Sequence, residues 1–198
     1  MEGQAVSTAY MPKAKTVEYE TPTSVFDALD AEFGPFTLDP ACRISHHSAQ
    51  KLLQRGGMLY VPEDEPEANP ILWQATRSDL VVIDGLLNDW AGIVWLNPPY
   101  GREMPKWIEK AVREVEAGRA KRVVALIPSR TDTKMWQKYI LKQTGPFRGV
   151  NYCVDAHATI DLVRFLPGRI KFGGANDPAP FPSAVVVWTS PDYSEDEG

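Results

Sequence analysis

Residues 93–127 constrain the fold more tightly than any other stretch of the chain. Ile93-Val94-Trp95-Leu96 is a short continuous apolar run of the kind that forms a buried strand. Asn97-Pro98-Pro99-Tyr100 ends it, because two successive prolines remove two backbone donors from any ladder. Trp107, Ile108, Ala111, Val112 and Val115 then recur at helical spacing, and Gly118 stops the helix. Val123-Val124-Ala125-Leu126-Ile127 is a second buried strand. Strand, amphipathic helix, strand predicts a βαβ unit whose strands are parallel and covered on both faces.

The flanking sequence extends this pattern. Thr21-Pro22 offers a cap and a proline at the first helical position, and Val25, Phe26, Leu29 and Phe33 follow at helical spacing until Gly34. Phe36-Thr37-Leu38 reads as a short strand opening into a loop at Asp39-Pro40, and Leu80-Val81-Val82-Ile83 as another ending at Asp84. An acidic, proline-punctuated loop spans residues 63–70. A helix is expected around residues 133–141, β-like runs at 149–154 and 161–166, and a last buried strand at 184–188. This order predicts an α/β fold with a mostly parallel central sheet and helices on both faces. With 198 residues there is room for one compact domain, placed at 21–190 between a polar tail at 1–20 and an acidic tail at 191–198.

Composition narrows the class. At 43% hydrophobic and 24% charged residues, the chain can bury a sizeable core. No apolar run approaches the roughly 18 residues of a membrane span, and the first residues lack a signal-peptide core, so no membrane partner and a cytoplasmic location are expected. Cys42 and Cys153 are too few for a disulfide framework or a structural zinc site and are expected to be reduced. Net charge is -5, yet it is segregated. Residues 1–100 hold 6 basic and 14 acidic residues, residues 101–175 hold 15 and 7, and residues 176–198 hold none and 5. Such asymmetry fits a polyanion-facing surface on an acidic protein, or else basic helix faces paired with local acids.

In open α/β sheets ligands gather beyond the carboxyl ends of the strands. Asp39, Asp84, Asn97 and Ser129-Arg130 each follow an apolar run and are therefore candidates. The tetrapeptide Asn97 to Tyr100 carries the sharpest chemistry. An asparagine oxygen and a proline carbonyl can both accept from one exocyclic amine, Pro99 stiffening the turn that presents them. An aromatic-ring amine is a poor nucleophile because its lone pair is conjugated, and accepting both N–H bonds favours a more tetrahedral nitrogen. Tyr100 offers a flat face on which a base can stack, worth roughly 1–3 kcal/mol.

These residues resemble a known family. Asn97-Pro98-Pro99-Tyr100 is similar to the catalytic tetrapeptide of S-adenosylmethionine-dependent amino-methyltransferases. Together with Thr21-Pro22, Leu38-Asp39-Pro40-Ala41, Asp84-Gly85-Leu86, Leu126-Ile127-Pro128, Arg130-Thr131-Asp132-Thr133 and Pro180-Phe181-Pro182-Ser183-Ala184, it resembles the phage-encoded DNA N-6-adenine methyltransferase family. The resemblance implies a Rossmann-like methyltransferase fold, S-adenosylmethionine as cofactor and DNA as partner, in a bacterial host cell. It implies that Thr21 and Pro22 contact the cofactor's amino-acid end, that Asp39, Pro40 and Ala41 wrap it, and that Asp84 accepts from its adenine amine. Asn97 and Pro98 would then hold adenine N6.

The chain departs from that pattern in places. Cys42-Arg43-Ile44-Ser45-His46-His47 stands where many methyltransferases carry a glycine-rich turn, and Glu63, Asp64, Glu65 and Asp79 all compete for the ribose hydroxyls. His46 and His47 lack the companions of a metal site and read as loop histidines, so no metal is expected. No nucleophile elbow supports a hydrolase. Methylating a base in a duplex requires swinging it out of the stack while phosphates are held. Arg102, Lys106, Arg130 and Lys134 follow two strand ends and suit that task, with Arg102, Arg130 and Lys134 as the substrate-binding set. Specificity would come from short loops such as 165–182. Cytosine N4, adenine in RNA or a protein glutamine would present a planar amine to the same tetrapeptide. A catalytically silent phage DNA-binding module is the reading from another class.

Overall fold

The computed structural model describes residues 19–194 except residues 44, 62–79, 83, 148, 149, 157, 174 and 176. In chain order the described elements are α1 (Thr23–Phe33), β1 (Leu38–Asp39), α2 (His47–Gln54), β2 (Met58–Val61), β3 (Leu80–Val82), β4 (Gly92–Leu96), α3 (Met104–Glu116), β5 (Ala120–Pro128), α4 (Lys134–Tyr139), β6 (Leu141–Phe147), β7 (Val150–Ala156), β8 (Ile160–Phe165) and β9 (Ser183–Thr189). Seven strands form one sheet in the order β3-β2-β1-β4-β5-β9-β8, and β6 and β7 pair separately. Strands β1 to β5 run parallel to one another, while β9 is antiparallel to both β5 and β8. The expected sheet with helices on both faces is therefore present.

Alternation along each strand divides the interior in two. Val94, Leu96, Val123, Ala125 and Ile127 face α3 and α4 through Trp107, Ile108, Ala111, Val112, Val115, Met135 and Trp136. Trp95, Val124 and Leu126 face α1 and α2 through Phe26, Leu29, Ala49 and Leu52. Helix α3 presents the apolar stripe its spacing predicts, with Pro105 in its first turn. Gly92 starts β4 at φ +74°, a left-handed conformation that glycine adopts without strain, and a Cβ there would overlap the Thr37 hydroxyl that takes the Ile93 N–H.

The structure corrects the reading of His47 as a loop histidine. His46 sits at the N-cap of α2 and His47 in its first turn, where the His47 Nε2 lies 3.0 Å from Asp27 Oδ1. Lys51 reaches the same carboxylate at 2.8 Å, so these groups join α2 to α1. The helix escapes a periodicity search because its apolar face within eight residues is short, Ala49 and Leu52 being buried and Leu53 packing beside them. The helix expected to reach Leu141 stops at Tyr139, and β6 follows directly.

The buried carboxylate of Asp30 ties α1 to the end of α2. Asp30 receives Arg55 Nη1 at 2.7 Å, Arg55 Nη2 at 2.8 Å and the Phe36 N–H at 2.9 Å. Burial alone would push its carboxyl up, but Arg55, the Phe36 amide and Lys51 together hold it at about 2. Glu114 plays a similar part under α3, with Arg119, Lys110 and the Trp90 N–H holding it at about 2 despite burial.

Candidate active site

The strand order reverses between β1 and β4, so their carboxyl ends diverge into a crevice where such folds bind ligands. Asp39 closes β1 and Asn97 follows β4, which brings these two predicted residues to that crevice. Asp84 follows β3 two strands away, in the turn that continues through Gly85. A Cβ on Gly85 would overlap the Pro40 carbonyl, so only glycine lets the turn after β3 press against the loop after β1. Asp39, Pro40 and Ala41 are thereby brought together with the Asp84 turn.

The two carboxylates differ. Asp39 is 3% exposed, accepts the Ala41 N–H and the Ser48 hydroxyl at 3.2 Å each, and has its carboxyl pushed up to about 7 by burial, against the lowering effect of both bonds. Asp84 is exposed and caps its own turn, its Oδ1 accepting the Leu86 N–H at 2.8 Å. The acids that compete for a ribose, Glu63, Asp64, Glu65 and Asp79, lie outside the described residues.

Asn97 is held from the N-terminal side of the chain. Its Nδ2 donates to the Tyr19 carbonyl and, at 3.1 Å, to the Thr21 hydroxyl. Its Oδ1 is buried and has no partner among the described residues. The turn uses the Pro99 carbonyl for the Gly101 N–H at 2.9 Å, leaving the Pro98 carbonyl without a donor among the described residues. Two free acceptors thus stand on consecutive residues at the end of β4.

Tyr100 belongs to an aromatic cluster. Its hydroxyl donates to the Leu126 carbonyl at 2.9 Å, and burial, with Tyr19 adding to it, pushes that phenol well above its ordinary range. Tyr19 stacks on its ring with centroids 5.2 Å apart and 26° between planes. Phe172 and Phe181 meet it edge-on at 5.8 and 5.5 Å. Both phenylalanines come from the loop between β8 and β9, within the segment expected to carry specificity.

Sequence reasoning missed Tyr19, which it placed in the tail. The Gly173 N–H donates to the Glu20 carbonyl at 2.8 Å, and a Cβ on Gly173 would clash with the Glu20 side chain. An aromatic residue two positions before Thr21-Pro22 was the available signal.

The cations of the basic segment fall into paired and unpaired groups among the described residues. Lys106, Lys110, Arg113, Arg119, Arg122 and Arg164 all pair with acids. Arg102, Arg130 and Lys134 are exposed and make no ion pair among the described residues. Arg130 lies over the Phe181 ring at 5.8 Å and so borders the aromatic cluster. No group of three potential metal ligands occurs among the described residues. No described helix is long and apolar enough to cross a membrane.

Residues 81–188 match the family model described as DNA N-6-adenine-methyltransferase (Dam). No curated protein matches the sequence. Among solved structures, a Pyrococcus horikoshii protein assigned as an RNA methyltransferase superposes with a TM-score of 0.53 at 12% identity, over 90% of this chain and 89% of its own. The 23S rRNA methyltransferase ErmE superposes with a TM-score of 0.53 at 10% identity, over 88% of this chain and 70% of its own. At that identity the two establish a shared Rossmann-like methyltransferase fold.

Proposed function

Since this chain belongs to the DNA N-6-adenine-methyltransferase family and is an S-adenosylmethionine-dependent methyltransferase, we propose that it methylates adenine N6 in DNA. The observation that carries this reading is the buried, unpartnered Oδ1 of Asn97 beside the free carbonyl of Pro98. Two neighbouring acceptors suit an amine with two N–H bonds, and a buried acceptor without a donor costs about 1–3 kcal/mol until one arrives. When bound, the cofactor would supply a sulfonium methyl as the electrophile, while Asn97 Oδ1 and the Pro98 carbonyl would hold the amine so that its lone pair is free to take that methyl and its surplus proton passes to solvent.

The residues present fit that cofactor. Asp39 is a buried acid that uses two hydrogen bonds and has lone pairs left for an ammonium donor, and the close approach that Gly85 permits sets the Asp84 turn against the loop of Asp39, Pro40 and Ala41. Thr21 and Pro22 stand at the start of α1, whose first N–H groups favour a carboxylate. Asp84, exposed at the crevice, accepts the adenine amine of the cofactor.

Tyr100, Phe172 and Phe181 form the aromatic wall for the target base. Its entry requires the Tyr19 ring to swing off the face of Tyr100, a side-chain rotation that leaves the Tyr19 carbonyl on Asn97. Arg102, Arg130 and Lys134 hold phosphates beside the opening.

Incubation of the protein with DNA and methyl-labelled cofactor, followed by nucleoside analysis, tests the proposal. The expected product is N6-methyldeoxyadenosine. Label in N4-methylcytosine, in RNA or protein alone, or in no acceptor would overturn it.

A further inference from the structure

We infer that Thr21, acting with the Tyr19 carbonyl, is a positioning residue that locks the amide of Asn97 with its oxygen toward the substrate, and that the same Thr21 hydroxyl ties this lock to the cofactor. The inference rests on the reading that Asn97 accepts the substrate amine.

An asparagine amide can face either way, and the two ends have opposite chemistry. With Nδ2 toward the incoming amine, donors would meet donors and the lone pair would gain nothing. A backbone carbonyl can only accept, so the atom facing the Tyr19 carbonyl has to be Nδ2. Thr21 Oγ1 takes the other N–H at 3.1 Å. Both amide hydrogens are therefore engaged, and Oδ1 is the end left buried without a partner. The partners lie 76 and 78 residues away from Asn97 in sequence, on the segment leading into α1.

Thr21 is 6% exposed, and its hydroxyl does more than accept. A hydroxyl carries one proton and two lone pairs. No acceptor for that proton is present among the described residues. It is available to an anionic group at the start of α1, where a carboxylate of the cofactor is proposed to sit. A hydroxyl that donates to an anion becomes a better acceptor, so cofactor binding tightens the bond to Asn97. The lock then sets firmest when the methyl donor is in place.

The experiment is a double-mutant cycle read by steady-state methyl transfer at saturating cofactor. Thr21→Val removes the hydroxyl and is expected to lower kcat about 10- to 100-fold with little change in the KM for DNA. Thr21→Ser should recover most of the loss. In an Asn97→Ala background, Thr21→Val should cost nothing further, because the amide it positions is gone. Equal losses in both backgrounds, or a loss confined to cofactor affinity, would overturn the inference. If Thr21→Val does not fold, Thr21→Ala enters the same cycle.

A second measurement needs no substrate. The side-chain amide protons of Asn97 should exchange slowly with solvent in the wild type, and at least tenfold faster in Thr21→Val. An unchanged exchange rate refutes the lock whatever the activity. Absence of methyl transfer to DNA by the wild type, with the slow exchange present, refutes the substrate reading and leaves the lock standing.

Discussion

Asp39 at the end of β1 accepts the hydroxyl of Ser48 in α2 at 3.2 Å, while its burial raises its carboxyl to about 7. A carboxyl raised in this way keeps its proton in the folded protein at pH values where the unfolded chain, near 3.9, has lost it. The folded state therefore binds more protons between about pH 4 and pH 7, and stability falls as pH rises through that window. Asp39→Asn should flatten the fall and gain about 1–3 kcal/mol at pH 8, measured by urea unfolding.

The same carboxyl makes cofactor binding pH-dependent. An ammonium stabilises the ionised form, so binding should release a proton below about pH 7, and affinity should climb to that pH and then level off. Calorimetry in buffers of different ionisation enthalpy reads the proton directly. Zero proton release at pH 6 in the wild type would place the ammonium elsewhere.

Asn97→Ala removes one of the two acceptors at the end of β4. Turnover should drop by about 100-fold or more while the cofactor Kd stays within about twofold, because the lost contact acts on the transition state. Near-normal turnover would show that the amine is held elsewhere.

Arg55 is the anchor of Asp30, and through it of α1 and the segment that carries Thr21. Arg55→Ala should cost about 1–3 kcal/mol, because it strips two charged hydrogen bonds from a buried carboxylate that keeps only Lys51 and the Phe36 amide. Since the pair holds Asp30 at about 2, its stabilisation is complete above about pH 4 and is lost as pH falls through 2. Acid unfolding followed by far-ultraviolet circular dichroism should show Asp30→Asn with a shallower acid limb than the wild type.

Arg130 and Lys134, exposed and without ion-pair partners among the described residues, should each contribute about one phosphate contact to DNA binding. Plots of log affinity against log salt should flatten by about one unit in Arg130→Ala and in Lys134→Ala. Lys106→Ala, whose ammonium already meets Glu103 at 2.6 Å, should leave the slope within experimental error.

Local sequence was enough for what depends on near neighbours. The βαβ unit of β4, α3 and β5 was legible because apolar spacing and proline or glycine stops act within a few residues of one another. Asn97 to Tyr100 was legible for the same reason: its chemistry lies in adjacent residue types. Asp39 stood out as an acid behind an apolar run. What only the tertiary structure decided depends on distant parts meeting. The insertion of β9 between β5 and β8 is a choice of strand partner, and no local pattern encodes it. The pairing of Arg164 with Glu32 spans 132 residues, so the charge count of a segment could not separate paired from unpaired cations. The orientation of Asn97 was set in the same way, by a carbonyl and a hydroxyl from the start of the fold. An amide has no intrinsic preference for one face, so only the groups packed against it after folding can choose which end is left for chemistry.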